Sequence, residues 1–187
     1  MENTARLPSG ISGLDELIEG GVPKDSVILV SGTPGSGKTL FCIQVLLAAC
    51  SRGEKCLYVS FEQPIRHIIS QSKRFNWPLD RYLSDGTLSI RYFDILAEQN
   101  VSDQIRAEVE DKKISVLAVD SLTALQDYPV MLYEAERQAS KVLKGRTISE
   151  MHEDSIRRIL THSFIQSIRN LNVTGFVITD PRADSSQ

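Results

Sequence analysis

The chain has 187 residues, of which 21 are basic and 24 acidic, so its formal net charge is −3 at neutral pH. Hydrophobic residues make up 41% and charged residues 24% of the chain, a balance typical of globular proteins that excludes intrinsic disorder and collagen-like repeats. No run of eighteen apolar residues occurs and the N-terminus lacks the pattern of a signal peptide, so we expect an intracellular, cytoplasmic protein without membrane insertion.

Short aliphatic or β-branched segments alternate with longer helical patterns, which predicts βα units and an α/β fold with a mostly parallel sheet and helices on both faces. The predicted strands, in chain order, are Val27–Ser31, Leu57–Phe61, Leu88–Phe93, Ser115–Asp120 and Val173–Thr179. The first and the fourth are richest in aliphatic residues, so we expect both to be buried on both faces of the sheet. No linker divides the chain, and we predict a single domain over residues 1–187.

Four helical patterns lie between or after these strands. The first covers Lys38–Ser51, the second opens at Pro64, and Ser102 is predicted to cap a third that runs through Glu110. Thr147 and Glu150 form a capping box ahead of the fourth and longest helix. Its apolar residues recur every three to four positions, so we expect it to cover one face of the sheet: Ile156, Ile159, Leu160, Phe164, Ile168 and Leu171.

A glycine-rich segment follows the first predicted strand. Residues 32–39 read Gly-Thr-Pro-Gly-Ser-Gly-Lys-Thr and fit the pattern G-x-x-x-x-G-K-[ST] between a strand and a helix. In such a loop the backbone N–H groups surround a phosphate, the lysine neutralises the β and γ oxygens, and the threonine hydroxyl binds Mg²⁺. The alternative is a glycine-rich turn with an incidental lysine. We predict a phosphate-binding loop (P-loop) formed by Thr33, Pro34, Gly35, Ser36, Gly37, Lys38, Thr39 and Leu40.

Two acidic residues stand at the ends of predicted strands. Asp120 ends an apolar strand, and because phosphate-bound Mg²⁺ needs a nearby carboxylate, we predict that Asp120 holds the metal together with Thr39. A cap or turn role is the alternative for Asp120. Glu62 follows the second strand, at the sheet edge where α/β proteins bind ligands. From spacing alone it is either the residue that orients an attacking water or a partner of the helix that opens at Pro64.

These features together resemble the KaiC-like branch of the RecA superfamily of P-loop ATPases. The likeness covers most of residues 6–125, returns at residues 173–180, and is weak over residues 128–155. Besides the P-loop it is carried by five segments: Ser9–Leu17 (SGISGLDEL), Gly20–Pro23 (GGVP), Phe61-Glu62, Phe75-Asn76-Trp77 and Val119-Asp120-Ser121.

The resemblance implies a RecA-like fold that binds ATP or ADP with Mg²⁺, in which the last predicted strand lies between the P-loop strand and the Asp120 strand. It gives Glu62 the position of the catalytic glutamate, with Lys38 at the reacting phosphate, and gives Thr179 the position of a polar sensor of the γ-phosphate. It also implies a homo-oligomer of the ring type, in which ATP lies between neighbouring subunits. ATP rather than GTP rests on this resemblance.

The chain departs from the family pattern in two places. Gln63 stands where the family commonly has a second glutamate, and a glutamine side chain neither carries charge nor takes up a proton. The family also continues past the sensor strand into strands with a basic residue that acts across the subunit interface. We therefore expect either a chain truncated at its C-terminal end or one without that cation, which weakens hydrolysis more than binding.

The predicted function is a slow, Mg²⁺-dependent ATPase whose site is completed in an oligomer. The alternative is a nucleotide-gated binding or regulatory module that holds ATP with little or no hydrolysis. A DNA-acting recombinase relative is possible but not favoured, because the chain is acidic overall and its basic stripe at Arg137, Lys141 and Lys144 is interleaved with glutamates. The sequence names no protein partner.

Overall fold

The computed structural model describes residues 5–95, 97–98, 100–125 and 153–181. Their elements, in chain order, are β1 (Arg6–Leu7), α1 (Leu14–Leu17), β2 (Val22–Pro23), β3 (Val27–Ser31), α2 (Lys38–Ser51), β4 (Cys56–Ser60), α3 (Ile65–Arg74), α4 (Leu79–Ser84), β5 (Leu88–Tyr92), α5 (Val101–Lys112), β6 (Val116–Asp120), α6 (Glu153–Arg169) and β7 (Thr174–Thr179). Among the described helices, none combines the length and the apolar composition needed to span a bilayer.

The main sheet has five parallel strands in the order β3-β7-β6-β4-β5. The α/β fold with a parallel sheet is therefore as predicted, and β7 lies between the P-loop strand and the Asp120 strand as the family resemblance implies. The register sets Ser31 of β3 opposite Thr179 of β7, and Ser60 of β4 opposite Asp120 of β6. The carboxyl ends of four strands thus meet at one edge.

Helices cover both faces of this sheet because its buried strands alternate their side chains between two apolar clusters. Tyr58 and Phe176 point to the face covered by α2, in one cluster with Ile43. On the other face Leu57 packs in a cluster that includes Phe164 of α6. The prediction that the last helix covers one sheet face is confirmed over its described side chains.

The structure corrects the predicted burial of the first strand. β6 is buried along its whole length, as expected, but β3 is not, since Leu29 remains 57% exposed and Ser31 is exposed. The reason is position: among the described strands β3 lies at one edge of the main sheet and pairs only with β7. Aliphatic content alone does not distinguish an outer strand from a central one.

Two predicted helix starts are each wrong by one or two residues. Pro64 precedes α3 rather than opening it, with an extended ψ of 146°. Helix α5 begins at Val101, before Ser102, and is preceded by Asn100 at a positive φ of 55° that asparagine tolerates better than most residues. The predicted capping box at Thr147 and Glu150 and the basic stripe lie outside the described residues.

The N-terminal segment packs against the helix that follows the P-loop. The Asp15 carboxylate accepts hydrogen bonds from the backbone N–H groups of Ser9 at 2.7 Å and Gly10 at 3.2 Å. Gly10 has a φ of 71°, and a Cβ there would lie 2.3 Å from the Cβ of Ala48 in α2. Close packing against α2 thus explains Gly10, and two backbone hydrogen bonds explain Asp15.

Candidate functional site

Residues 32–37 form the loop between β3 and α2, and their glycines permit its shape. Gly35 and Gly37 have φ values of 81° and 92°, where most residues are strained. At Gly32 a Cβ would lie 2.5 Å from the Ser36 Oγ. Gly37 precedes α2, whose start has no side-chain cap. The first N–H groups of that helix and its positive dipole end are therefore suited to an anion such as phosphate.

The Lys38 ammonium lies against this loop and has three oxygen atoms around it. It donates to the carbonyl oxygens of Gly32 at 2.7 Å and Thr33 at 3.1 Å, and forms an ion pair with the Asp180 Oδ1 at 2.8 Å. The Lys38 side chain is 12% exposed. The lysine predicted to bind phosphate is thus held by two loop carbonyls and one carboxylate.

Thr39 and Asp120, the two residues predicted to bind Mg²⁺, are hydrogen-bonded to each other, and a tyrosine joins them. The hydroxyls of Thr39 and Tyr58 both donate to the Asp120 Oδ2, at 2.6 Å and 2.5 Å. Asp120 is 3% exposed and Tyr58 1%. Burial, and next the charge of Asp120, hold the pKa of Tyr58 well above its ordinary value of 10.0, so the phenol stays a proton donor.

Glu62 follows β4 at the same edge, and its side chain is oriented by the residue after Asp120. The Ser121 hydroxyl donates a hydrogen bond to the Glu62 Oε1. Gln63 has other partners. Its backbone N–H donates to the Ser60 Oγ at 3.0 Å, and its side-chain oxygen accepts from the Gln71 Nε2 at 3.2 Å. Glu62 is exposed.

These groups line one cleft of about 440 Å³, within the roughly 300–1,000 Å³ of small-molecule sites. Of the predicted site residues, those that line it are Pro34, Gly35, Gly37, Lys38, Thr39, Leu40, Glu62 and Asp120. Thr33, Ser36 and Thr179 do not line it. Thr33 contributes its carbonyl to Lys38, and the Thr179 hydroxyl lies 3.4 Å from the Asp180 carbonyl oxygen. The sensor role of Thr179 stays a prediction.

Several residues in or beside the cleft were not predicted as site residues, among them Asp180, Tyr58, Arg74 and Phe75. Asp180 follows β7 directly, so the same rule that selected Glu62, an acidic residue after a parallel strand, was sufficient to find it. Tyr58 reads in the sequence as an ordinary core aromatic. Arg74 and Phe75 reach the cleft from the end of α3, and no local pattern indicates this, because it depends on how that helix packs.

The residues at Thr39 fit a magnesium ion that is bound together with a nucleotide. Mg²⁺ prefers oxygen ligands and is commonly held by one or two carboxylates plus substrate phosphates. Thr39 and Asp120 supply a hydroxyl and a carboxylate oxygen 2.6 Å apart. Over the described part of the chain, no three His, Cys, Asp or Glu side chains are grouped to hold a metal by themselves. Binding of Mg²⁺ here would therefore depend on the phosphates.

Comparisons with known proteins agree with this geometry. The family model for the ATPase KaiC matches residues 7–187. A UPF0273 protein of Pyrococcus horikoshii is 29% identical over 160 residues, which are 76% of this chain and 65% of that protein. The circadian clock oscillator protein KaiC of Acaryochloris marina is 32% identical over 125 residues, 66% of this chain and 24% of that protein.

A solved structure extends the comparison to the fold. The crystal structure of a KaiC-like protein from the hyperthermophilic archaeon Pyrococcus horikoshii matches with a TM-score of 0.71 and 25% sequence identity, over 98% of this chain and 74% of that one. The chain spans 65% of the length of the UPF0273 relative and 24% of the length of the clock protein.

Proposed function

The chain belongs to the KaiC family of ATPases, and from this premise we propose that it binds Mg·ATP in the cleft beside the P-loop and hydrolyses it slowly to ADP and phosphate. One observation carries the proposal. Lys38, Thr39, Asp120 and Glu62, which come from three separate parts of the chain, line a single cleft at the carboxyl edge of the sheet.

Binding is proposed to use the loop and the start of α2. The P-loop backbone and the helix N-terminus hold the phosphate oxygens, and Lys38 neutralises the β and γ phosphates. A bound Mg²⁺ would supply positive charge that offsets the negative charge developing during phosphoryl transfer. Thr39 and Asp120 would hold it, and Tyr58 fixes the Asp120 carboxylate from below.

Hydrolysis is proposed to use Glu62 as the general base. Its carboxylate lines the cleft, and Ser121 holds one of its oxygens, which leaves the other free to accept a proton from the attacking water. The water oxygen attacks the γ-phosphorus, the bond to the β–γ bridging oxygen breaks, and ADP leaves with its negative charge balanced by Lys38.

Slow turnover and an oligomeric active form are proposed from the cationic residues of the cleft. In the described lining the cationic side chains are Lys38 and Arg74, and Lys38 is paired with Asp180. A cation supplied by a neighbouring copy of the chain would complete the site, as P-loop enzymes gain orders of magnitude from such a residue. We therefore propose a homo-oligomer as the active form.

A nucleotide-gated module with little hydrolysis is the second candidate. Gln63 favours it, because this uncharged side chain is bonded to Gln71 where the family pattern commonly has a second carboxylate. The two candidates share the binding site and differ only in turnover.

Phosphate release from Mg·ATP over a wide range of protein concentration separates them, with Lys38→Ala as the blank. A rate per chain that rises with concentration supports the assembling ATPase. Tight ATP binding with no release above the blank at any concentration supports the module, and equal ATP affinity of the two proteins refutes both.

A further inference from the structure

The Lys38–Asp180 ion pair lies inside the proposed phosphate site. Asp180 is the residue after β7, and its backbone N–H donates to the Thr123 Oγ1 at 2.9 Å. That bond holds the end of β7 beside the segment that follows Asp120. The Asp180 Oδ1 lies 2.8 Å from the Lys38 ammonium, where an anionic ligand of the P-loop would also bind.

A phosphate oxygen that approaches Lys38 meets an ammonium that already has three oxygen partners. The ammonium donates hydrogen bonds to two loop carbonyls and forms an ion pair with the Asp180 carboxylate 2.8 Å away. The carbonyls of Gly32 and Thr33 belong to the loop that surrounds the phosphate. Asp180 is the one anionic partner, and it would repel a polyphosphate at this distance.

The charges around the cleft increase the competition between Asp180 and phosphate for Lys38. Its described lining holds three acidic side chains, Glu62, Asp120 and Asp180, against two basic ones, Lys38 and Arg74. Two hydroxyl groups donate to the Asp120 carboxylate, and a bound Mg²⁺ would also balance its charge. The Glu62 carboxylate accepts a hydrogen bond from Ser121. Asp180 has Lys38 as its ion-pair partner, so the entry of phosphate leaves its carboxylate uncompensated.

We propose that Asp180 occupies Lys38 as an internal substitute for phosphate and so sets the nucleotide affinity of the chain. Nucleotide binding exchanges the carboxylate for phosphate on the lysine and releases Asp180. This inference rests on the proposed function, because it requires that the cleft bind nucleotide. In this role Asp180 competes with the nucleotide phosphates for Lys38, and neither phosphate binding nor metal binding by the loop requires it.

The size of the effect follows from the fraction of molecules in which Lys38 is free. The apparent dissociation constant equals the intrinsic one divided by that fraction. If the pair is broken in roughly a tenth to a third of molecules, its removal lowers the apparent dissociation constant about three- to tenfold. Because the pair also stabilises the nucleotide-free protein, its removal lowers the melting temperature in the absence of ligand.

The experiment compares the wild-type protein with Asp180→Asn by calorimetric titration of ATP and ADP, each with Mg²⁺ and with EDTA, and by melting without nucleotide. Glu108→Gln is the matched control, since Glu108 pairs with Arg91 at 3.1 Å and Lys112 at 2.6 Å away from the cleft. We expect Asp180→Asn to bind both nucleotides more tightly, with and without Mg²⁺, and to melt earlier.

The control is expected to melt earlier with unchanged nucleotide affinity. A purely structural role for Asp180 predicts weaker binding together with lower stability, and would overturn the inference. Weaker binding of Mg·ATP alone would assign Asp180 to the metal instead, and also overturns it. If wild type and both variants fail to bind any nucleotide, the proposed function fails and the inference with it.

Discussion

Replacement of Tyr58 by phenylalanine removes one hydroxyl from a buried strand and leaves the ring in place. The hydroxyl donates to the Asp120 Oδ2 at 2.5 Å, a distance typical of a hydrogen bond to a charged oxygen. Tyr58 and Asp120 are 1% and 3% exposed, so water does not replace the lost donor. A hydrogen bond to a charged group contributes roughly 1.5–3 kcal/mol, and no large cavity offsets or adds to this loss.

The prediction is therefore a loss of about 1.5–3 kcal/mol in the free energy of unfolding of Tyr58→Phe. For a chain of this size each kcal/mol corresponds to roughly 2–4 °C, so the melting temperature falls by about 3–12 °C. Chemical denaturation at neutral pH measures the free energy of unfolding. Tyr92→Phe is the control, because Tyr92 is 38% exposed. Equal stability of the two variants would refute the reasoning that Tyr58 fixes Asp120.

Three further predictions concern the cleft and one surface pair. Glu62→Gln is expected to keep ATP binding and to lower phosphate release by roughly 10²- to 10⁴-fold, the usual contribution of a general base; equal rates would return Glu62 to a structural role. Arg74→Gln is expected to weaken ATP binding more than Lys73→Gln, because Arg74 lines the cleft whereas Lys73 forms an ion pair with Asp80 outside the cleft. Equal ATP affinities of the two variants would contradict this prediction. A hydrogen bond from Lys24 holds the pKa of Glu54 below its ordinary 4.5, so the folded protein is stabilised above that pH and loses this stability as the pH falls. Glu54→Gln should therefore flatten the acid side of the stability profile, and an unchanged profile measured by urea unfolding would contradict the assignment.

The parts of the site that lie in one sequence segment, or at the ends of parallel strands, were predictable from the sequence. The P-loop pattern has glycines at positions 35 and 37, where the backbone φ values are positive. Asp120 follows from its place at the end of an apolar strand, and its bond to Thr39 joins residues 81 positions apart. Strand order was predictable only through the family resemblance, because periodicity does not say which strands are neighbours.

The remaining parts depend on packing between distant elements. The exposure of Leu29 follows from the outer position of its strand, which residue composition does not encode. Tyr58 is an apolar position by pattern, and its polar role arises because the register sets β4 beside β6. Arg74 reaches the cleft only through the direction of α3, and the pairing of Asp180 with Lys38 requires β7 beside β3.

The central claim is that this cleft binds Mg·ATP through the P-loop, and calorimetric titration of Mg·ATP into wild type and Lys38→Ala tests it most directly. The expected result is one ATP bound per chain, with an affinity that Lys38→Ala lowers by about 10- to 100-fold, as the loss of a charged hydrogen bond predicts. Equal affinity of the two folded proteins, or no binding by wild type, would contradict the account.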